Sequence, residues 1–545
     1  MGKEMVMAKF NIVEKRHKPS PGPLGTSTVP DVRTGNNAPG FSYEDKSALF
    51  LLGVNSMFGQ DKHYEKAAQA DQRFVGLVRK VTQVDPVWML GFITWLRQSG
   101  NMRSSAVVAS VEAALVAKQD LQPGAQLGLA RQLAQAGIGR ADEIGEALGY
   151  FMSTYKGKQV PKPIKRGLAD ACVKLFNEYT ALKYGSVNSD KKAFTPARIL
   201  NLLHPKSDKP WQQDLFGYLV AREYGEVEIP ESLLTLQTRK ELMALPVAER
   251  RNLLSHGQVA QQLKAAGMTW ESLAGWLQGP MDKHAWNAII PSMGYFALLR
   301  NLRNFDEAGI SPERAKYVQD YLADPERVRK SKLFPFRFLA AYREVNNLRW
   351  ASALSAALSA SLVNIPTLPG RTLVLVDTSG SMDVPFSEHS SMKRWDAAAL
   401  FGIALGLANP GQVDVISYSN NARVFPLRAG ADVLGEWQRW VSERYNLNGG
   451  TNTAGTLQAA YRGHDRVVIL TDEQANFHGY GNYGVGGAMP QDKHLFSFNL
   501  AGYRQGHAPT GKFRHSFGGL TDACFPLISQ VEQAHSGQWP WENRD

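Results

Sequence analysis

Apolar positions keep one period along the chain up to about Ser361 and a different one after it. From Ser42 they recur three and four residues apart, the spacing of a helix that buries one face. Leu49, Phe50, Leu52, Val54 and Phe58 open the pattern, and Trp88, Leu90, Phe92, Trp95 and Leu96 form its densest stretch. Further helical segments follow at Ala106 to Val116, Leu127 to Leu133 and Ile144 to Met152. Turn signals punctuate the series: Asp85-Pro86, Gln122-Pro-Gly124, Pro161, Pro196, Pro205, Pro210, Pro230, Gly279-Pro280, Ser311-Pro312 and Asp324-Pro325. Helices on short turns predict stacked antiparallel pairs, a HEAT-like solenoid, although no clean repeat fixes the period. Within this region Ile164, Leu168, Cys172, Leu175, Tyr179 and Leu182 read as the single apolar stripe of one helix. Residues 1–42 lack such a pattern and are rich in Lys, Pro and Gly, as in Glu14-Lys15-Arg16-His17-Lys18 and the prolines after it. They read as a flexible basic arm.

From residue 371 apolar runs alternate with helical stretches, the signature of a doubly wound α/β sheet. The strands predicted are Thr372–Asp377, Val413–Tyr418, Val467–Thr471 and Leu495–Leu500. Arg423-Val-Phe-Pro-Leu427 reads as an edge strand, because its proline cannot donate to a central ladder. Helices are expected near Trp395–Leu407, Val433–Val441, Thr453–Tyr461 and Asp522–Glu532. The glycine-rich stretch Phe477 to Gly487 reads as a mobile loop, and its His478 as a solvated side chain. The expected division is therefore an arm at 1–42, a helical-repeat domain at 43–364 and an α/β domain at 365–545.

Composition adds three things. At 545 residues the chain exceeds one hydrophobic core. Its two cysteines, Cys172 and Cys524, are far apart and imply neither a disulfide framework nor a zinc site. No apolar run approaches the ~18 residues of a membrane span and no secretory leader is evident, so a cytoplasmic protein is expected. The net charge of +11 is unevenly placed: residues 1–360 carry 47 Lys and Arg against 34 Asp and Glu, and residues 361–545 carry 14 against 16. An excess confined to the helical part points to a polyanion partner there. Lys162, Lys165 and Arg166 open the helix at 162 and Lys183 closes it. Cations at a helix N-terminus oppose the macrodipole, a local cost that points to a ligand. A second basic concentration runs from Arg300 to Arg343.

The candidate chemistry sits where the period changes. Thr372-Leu-Val-Leu-Val-Asp377-Thr-Ser379-Gly-Ser381 is a buried strand that ends in one carboxylate and two hydroxyls. Asn448-Gly-Gly-Thr451-Asn-Thr453 is a glycine loop opening a helix, and Arg466-Val-Val-Ile-Leu-Thr471-Asp472 is a second strand ending in an acid. Ligands of open α/β sheets bind beyond the carboxyl ends of strands. Hard oxygen donors suit Mg²⁺ or Mn²⁺. The three pieces resemble the von Willebrand factor A domain and its metal-ion-dependent adhesion site. That resemblance implies metal ligation by Asp377, Ser379, Ser381, Thr451 and Asp472.

A second resemblance lies in the helical part. Ile164-Lys165-Arg166-Gly-Leu-Ala, Ala181-Leu-Lys183-Tyr184, Leu203-His204-Pro-Lys206, Ala297-Leu-Leu-Arg300-Asn301-Leu302 and Phe334-Pro-Phe336-Arg-Phe338 look like landmarks of the TROVE domain. In this order, and followed by an A-type domain, they are similar to the Ro ribonucleoprotein family. The resemblance implies a ring of helical repeats closed by the A-type domain, and a single protein chain in the particle. It implies a nonenzymatic RNA-binding protein. A small noncoding Y-type RNA would lie on the outer surface near Lys162, Lys165, Arg166, Lys183, His204 and Lys206. Single-stranded ends of misfolded or structured RNA would enter the central hole, in RNA quality control alongside an exoribonuclease. The alternative is an adhesion-type scaffold that binds protein through the metal and has no specific RNA. A nuclease fits less well, because Asp377 and Asp472 are too few to hold two metals.

Overall fold

The computed structural model describes residues 32–33, 39–40, 45–55, 67–100, 102–119, 128–184, 194–255, 258–345, 347–385, 392–472, 485–500, 513–518 and 524–535, with 539 and 541. Within the span expected to be a basic arm, strand β1 (Val32–Arg33) pairs antiparallel with β2 (Pro39–Gly40). The charged and proline-rich run at 14–23 lies outside the described residues.

Helices then follow one another from Asp45–Asn55 to Ala351–Ala360. Several of the turn signals are helix starts. Asp85, Ser311 and Asp324 each accept a backbone N–H of the turn they open, with a proline at the next position. The carboxylate or hydroxyl satisfies an orphan donor, and the proline has no N–H to leave unpaired. Near neighbours in sequence pack together: Arg103–Gln119 on Leu129–Ala136, and that helix on Lys162–Leu175.

The single stripe expected from Ile164 to Leu182 is corrected by the structure into two helices, Lys162–Leu175 and Glu178–Tyr184. Phe176 turns extended, with ψ of 124°, and is buried in the core. Asn177 starts the second helix: its Oδ1 accepts the Thr180 N–H at 2.9 Å, and Thr180 Oγ1 accepts the Asn177 N–H at 2.9 Å. Periodicity survives the break because the apolar residues on both sides face one core, but Tyr179 is left exposed.

The A-type region is a six-stranded sheet in the order β5 (Ala422–Phe425), β4 (Val413–Tyr418), β3 (Thr372–Asp377), β6 (Arg466–Thr471), β7 (His494–Asn499), β8 (Arg514–Gly518). All pairings are parallel except β4 with β5, so β5 is the antiparallel edge, and Pro426 falls just beyond its end. The edge strand β8 was not legible. Arg514-His515-Ser516 carries no apolar run, and its pairing with β7 is a tertiary fact. Strand β3 is buried on both faces, which explains its unbroken apolar run. Val374 and Val376 face the helix Arg394–Ala408, and Leu373 and Leu375 face Leu457 on the helix Thr453–Ala460.

The helical and A-type regions share one apolar cluster that runs from Leu49 to Trp539. At the late end of the helices, Phe334 stacks on Phe525, Phe336 lies tilted against it, and Phe525 stacks on Phe401 at 4.2 Å between ring centroids. Arg343 bonds Asp396 at 2.5 Å beside them. At the early end, Trp539 and Trp541 pack among Phe50, Trp88, Phe92 and Trp95. The A-type region thus holds both the last helices and the first, and closes the helical series on itself.

Candidate functional site

Strand β3 has β4 on one side and β6 on the other, so the chain order reverses there. Asp377 ends β3, and Asp472 follows the last residue of β6. Both carboxylates are fully buried. Asp377 Oδ1 accepts the Ser379 N–H at 2.9 Å, and Asp377 Oδ2 accepts the Thr471 hydroxyl at 2.6 Å. The Ser379 and Ser381 hydroxyl oxygens are 3.2 Å apart. Ser379 is buried and Ser381 half-buried, so the pair leads from the acids toward solvent.

The loop bearing Thr451 is fastened to the loop bearing the serines. Gly380 N–H donates to Gly449 carbonyl at 2.9 Å, and Asn448 N–H donates to Thr378 carbonyl at 2.9 Å. Asn448 and Gly449 have φ of 61° and 91°, a left-handed pair that lets the two backbones approach. A Cβ on Gly380 would stand 2.9 Å from Asn448 Oδ1, so the glycine keeps the loops in contact. Thr451 is buried next to this seam. The structure therefore gathers Asp377, Ser379, Ser381, Thr451 and Asp472 at one end of the sheet.

Burial pushes the Asp377 carboxyl up to about 6, against the pull of the Thr471 and Ser379 hydrogen bonds, with the Asp472 charge adding to the rise. Burial and the charge of Asp377 also push the Tyr418 phenol above its usual range. Two acids in one dry place favour a compensating cation. Among the described residues no three His, Cys, Asp or Glu side chains converge. The donors on hand are two carboxylates and three hydroxyls, a set that fits a hard divalent cation. Arg394, at the start of its helix, brings Nη1 to 3.7 Å from Asp472 Oδ2. No periodicity in the sequence signalled this approach. Thr471 and Tyr418 were likewise missed as partners, though Thr471 adjoins the acid that motif spacing singled out.

The six residues expected to meet RNA lie on, or just past the end of, three helices that all pack on Ala141–Thr154. Lys162, Lys165 and Arg166 lie in the first two turns of Lys162–Leu175. Lys183 ends Glu178–Tyr184, with Nζ 5.6 Å from the Tyr184 ring centroid. His204 closes Pro196–Leu203 in a left-handed conformation, φ 48°, and Lys206 follows. His204 is exposed, so it is not a core histidine. Lys162, Arg166, Lys183 and Lys206 are also exposed, and Lys165 is half-buried. Among the described residues no ion pair engages these five cations. Three nearby arginines are paired: Arg131 with Asp170, Arg140 with Asp142 and Arg198 with Glu223. No described helix is long and apolar enough to cross a membrane.

Residues 265–389 match the family model of the TROVE domain. No curated protein matches the chain. Among solved structures, the chain is similar to the Ro (RSR) protein of Deinococcus radiodurans, at 18% identity and a TM-score of 0.67. The match covers 90% of this chain and 100% of that one. The chain thus carries a TROVE-domain match and shares the Ro fold, a helical region followed by an α/β sheet of mainly parallel strands.

Proposed function

We propose that the protein is a nonenzymatic RNA-binding protein of the Ro ribonucleoprotein type. It takes a small noncoding Y-type RNA on the outer face of the helices, at Lys162, Lys165, Arg166, Lys183, His204 and Lys206. Single-stranded ends of misfolded or structured RNA enter the central hole, and an exoribonuclease works beside it in cytoplasmic RNA quality control. In this reading the chain acts as a monomer, with the domain division at 42 and 364. The observation that carries it is the cluster of cations around Ala141–Thr154, most of them exposed, that no ion pair engages among the described residues. The surplus of positive charge in residues 1–360 is its setting. Unpaired cations on one face attract phosphates and release counterions when they bind.

The A-type site complements this role. Asp377, Ser379, Ser381, Thr451 and Asp472 would hold Mg²⁺ or Mn²⁺, which would supply an open position for an acidic group of a protein partner. That centre also favours a second reading, a metal-dependent protein scaffold without specific RNA. Sequencing of RNA that copurifies with the full chain separates the two. A discrete small RNA supports the first reading, and bulk RNA at the level of an unrelated basic protein supports the second.

A further inference from the structure

The first turn of the helix Arg394–Ala408 holds two ion pairs that lead to different parts of the molecule. Arg394 brings Nη1 to 3.7 Å from Asp472 Oδ2, in the candidate metal site. Two residues on, Asp396 Oδ2 accepts Nη1 of Arg343 at 2.5 Å, and Arg343 belongs to the helix Pro335–Glu344 of the helical region. The same Asp396 oxygen accepts the Lys393 N–H at 3.0 Å and so caps the turn. The serine loop is tied in as well: Arg394 N–H donates to Val384 carbonyl at 3.0 Å, and Lys393 pairs with Asp383.

The body of the helix is fixed. Ala397 to Gly406 are buried, and a Cβ on Gly402 would stand 3.2 Å from Val376 Cγ2 on β3. A helix seated this closely does not slide as one piece, so its freedom lies in the first turn. Arg394 is poorly satisfied in its place. Its Nε is buried with no hydrogen-bond partner among the described residues, and its approach to Asp472 is longer than a hydrogen bond. It acts as a counter-charge for Asp472, and a divalent cation on that carboxylate would repel it.

We infer that this turn couples the metal site to the Arg343–Asp396 contact between the helical and A-type regions. With Arg394 in against Asp472, the turn presents Asp396 to Arg343. When a divalent cation takes Asp472, Arg394 moves out, the turn shifts and the Arg343–Asp396 contact weakens. By linkage, breaking that contact favours the cation to the same extent. The inference rests on the metal reading above and gives that site a regulatory link to the helical region.

The test is the Mn²⁺ affinity of the full chain, read by electron paramagnetic resonance of the free ion. Arg343→Gln should tighten binding by about five-fold. Asp396→Asn, whose side-chain oxygen still caps the turn, should tighten it too. Electrostatics through space gives these two variants opposite signs, since one removes a positive charge and the other a negative one. In an Arg394→Gln background the gain from either should disappear. Hydrogen exchange reads the reverse direction: Mn²⁺ should speed exchange in Pro335–Glu344 of the wild type and leave it unchanged in Arg394→Gln. Should Arg343→Gln lack native circular dichroism, Asp396→Asn and the exchange measurement decide. Opposite shifts in the two variants, no shift in either, or the same gain with and without Arg394 overturns the coupling. A wild-type chain that takes no Mn²⁺ overturns the metal reading itself, a result distinct from the others.

Discussion

Thr471 Oγ1 donates a 2.6 Å hydrogen bond to Asp377 Oδ2, so the last residue of β6 steadies the last residue of β3. The bond favours the ionised carboxylate against the cost of its burial. Thr471→Val keeps the shape and removes the donor. It should weaken Mn²⁺ binding about tenfold near neutral pH, in line with about 1–3 kcal/mol for a buried hydrogen bond to a charged group. Electron paramagnetic resonance of free Mn²⁺ during titration reads it. Asp377→Ala in the same assay should abolish binding, and retention of stoichiometry would contradict the site.

The Asp377 carboxyl, pushed up to about 6 mainly by burial, has a folded value above its unfolded one. Its contribution to metal-free stability is therefore present in full below about pH 4. It is lost as pH rises through the folded value. The difference is on the order of 3 kcal/mol. Thermal melts of metal-free protein at acid and neutral pH should show it against Asp377→Asn, whose curve lacks this step. Identical pH profiles for the two proteins would remove Asp377 as the cause.

Arg394 holds a fixed positive charge 3.7 Å from Asp472 Oδ2. A divalent cation must share that carboxylate with it. Arg394→Gln should tighten Mn²⁺ binding by roughly tenfold, the scale on which a neighbouring cation moves an acid's equilibrium. Isothermal titration calorimetry settles the sign. Weaker binding in Arg394→Gln would mean that the guanidinium supports the site rather than competing in it.

The motif was legible because its parts are local. A strand ending in Asp377, a serine pair two residues apart and a glycine loop before Thr453 each announce themselves within a few residues. What was not legible depends on distance in the sequence. Arg394 reaches Asp472 only because the sheet brings the start of its helix to the end of β6. β8 is polar and became a strand through its pairing with β7. The helix break at Phe176 was hidden because the apolar spacing continues across it. The tail residues Trp539 and Trp541 gave no sign of their partners near Trp88, some 450 residues earlier, since aromatic packing across a closed series leaves no period.

That tail contact carries its own prediction. Trp541 lies so close to Gly91 that a Cβ there would stand 2.5 Å from its ring. Gly91→Ala should force the ring away from the first helices, and Trp539→Ala should empty a buried position at a cost of about 3–5 kcal/mol. Both should lower the melting temperature and speed proteolysis of the early helices. Unchanged melting and cleavage in both would show that the tail does not secure the closure.

The central claim is that RNA belongs to the helical half and meets the cations near Lys183 and His204. Filter binding of the copurified small RNA at two salt concentrations tests it most directly. Lys183→Ala should cost about 1–3 kcal/mol, the loss of one charge-assisted contact, with a shallower salt dependence. His204→Ser should weaken the same RNA through the loss of a hydrogen bond or a stack from the ring. Native circular dichroism is expected for both variants, because both side chains are exposed. Equal affinities for the wild type and both variants at both salt concentrations would contradict the account.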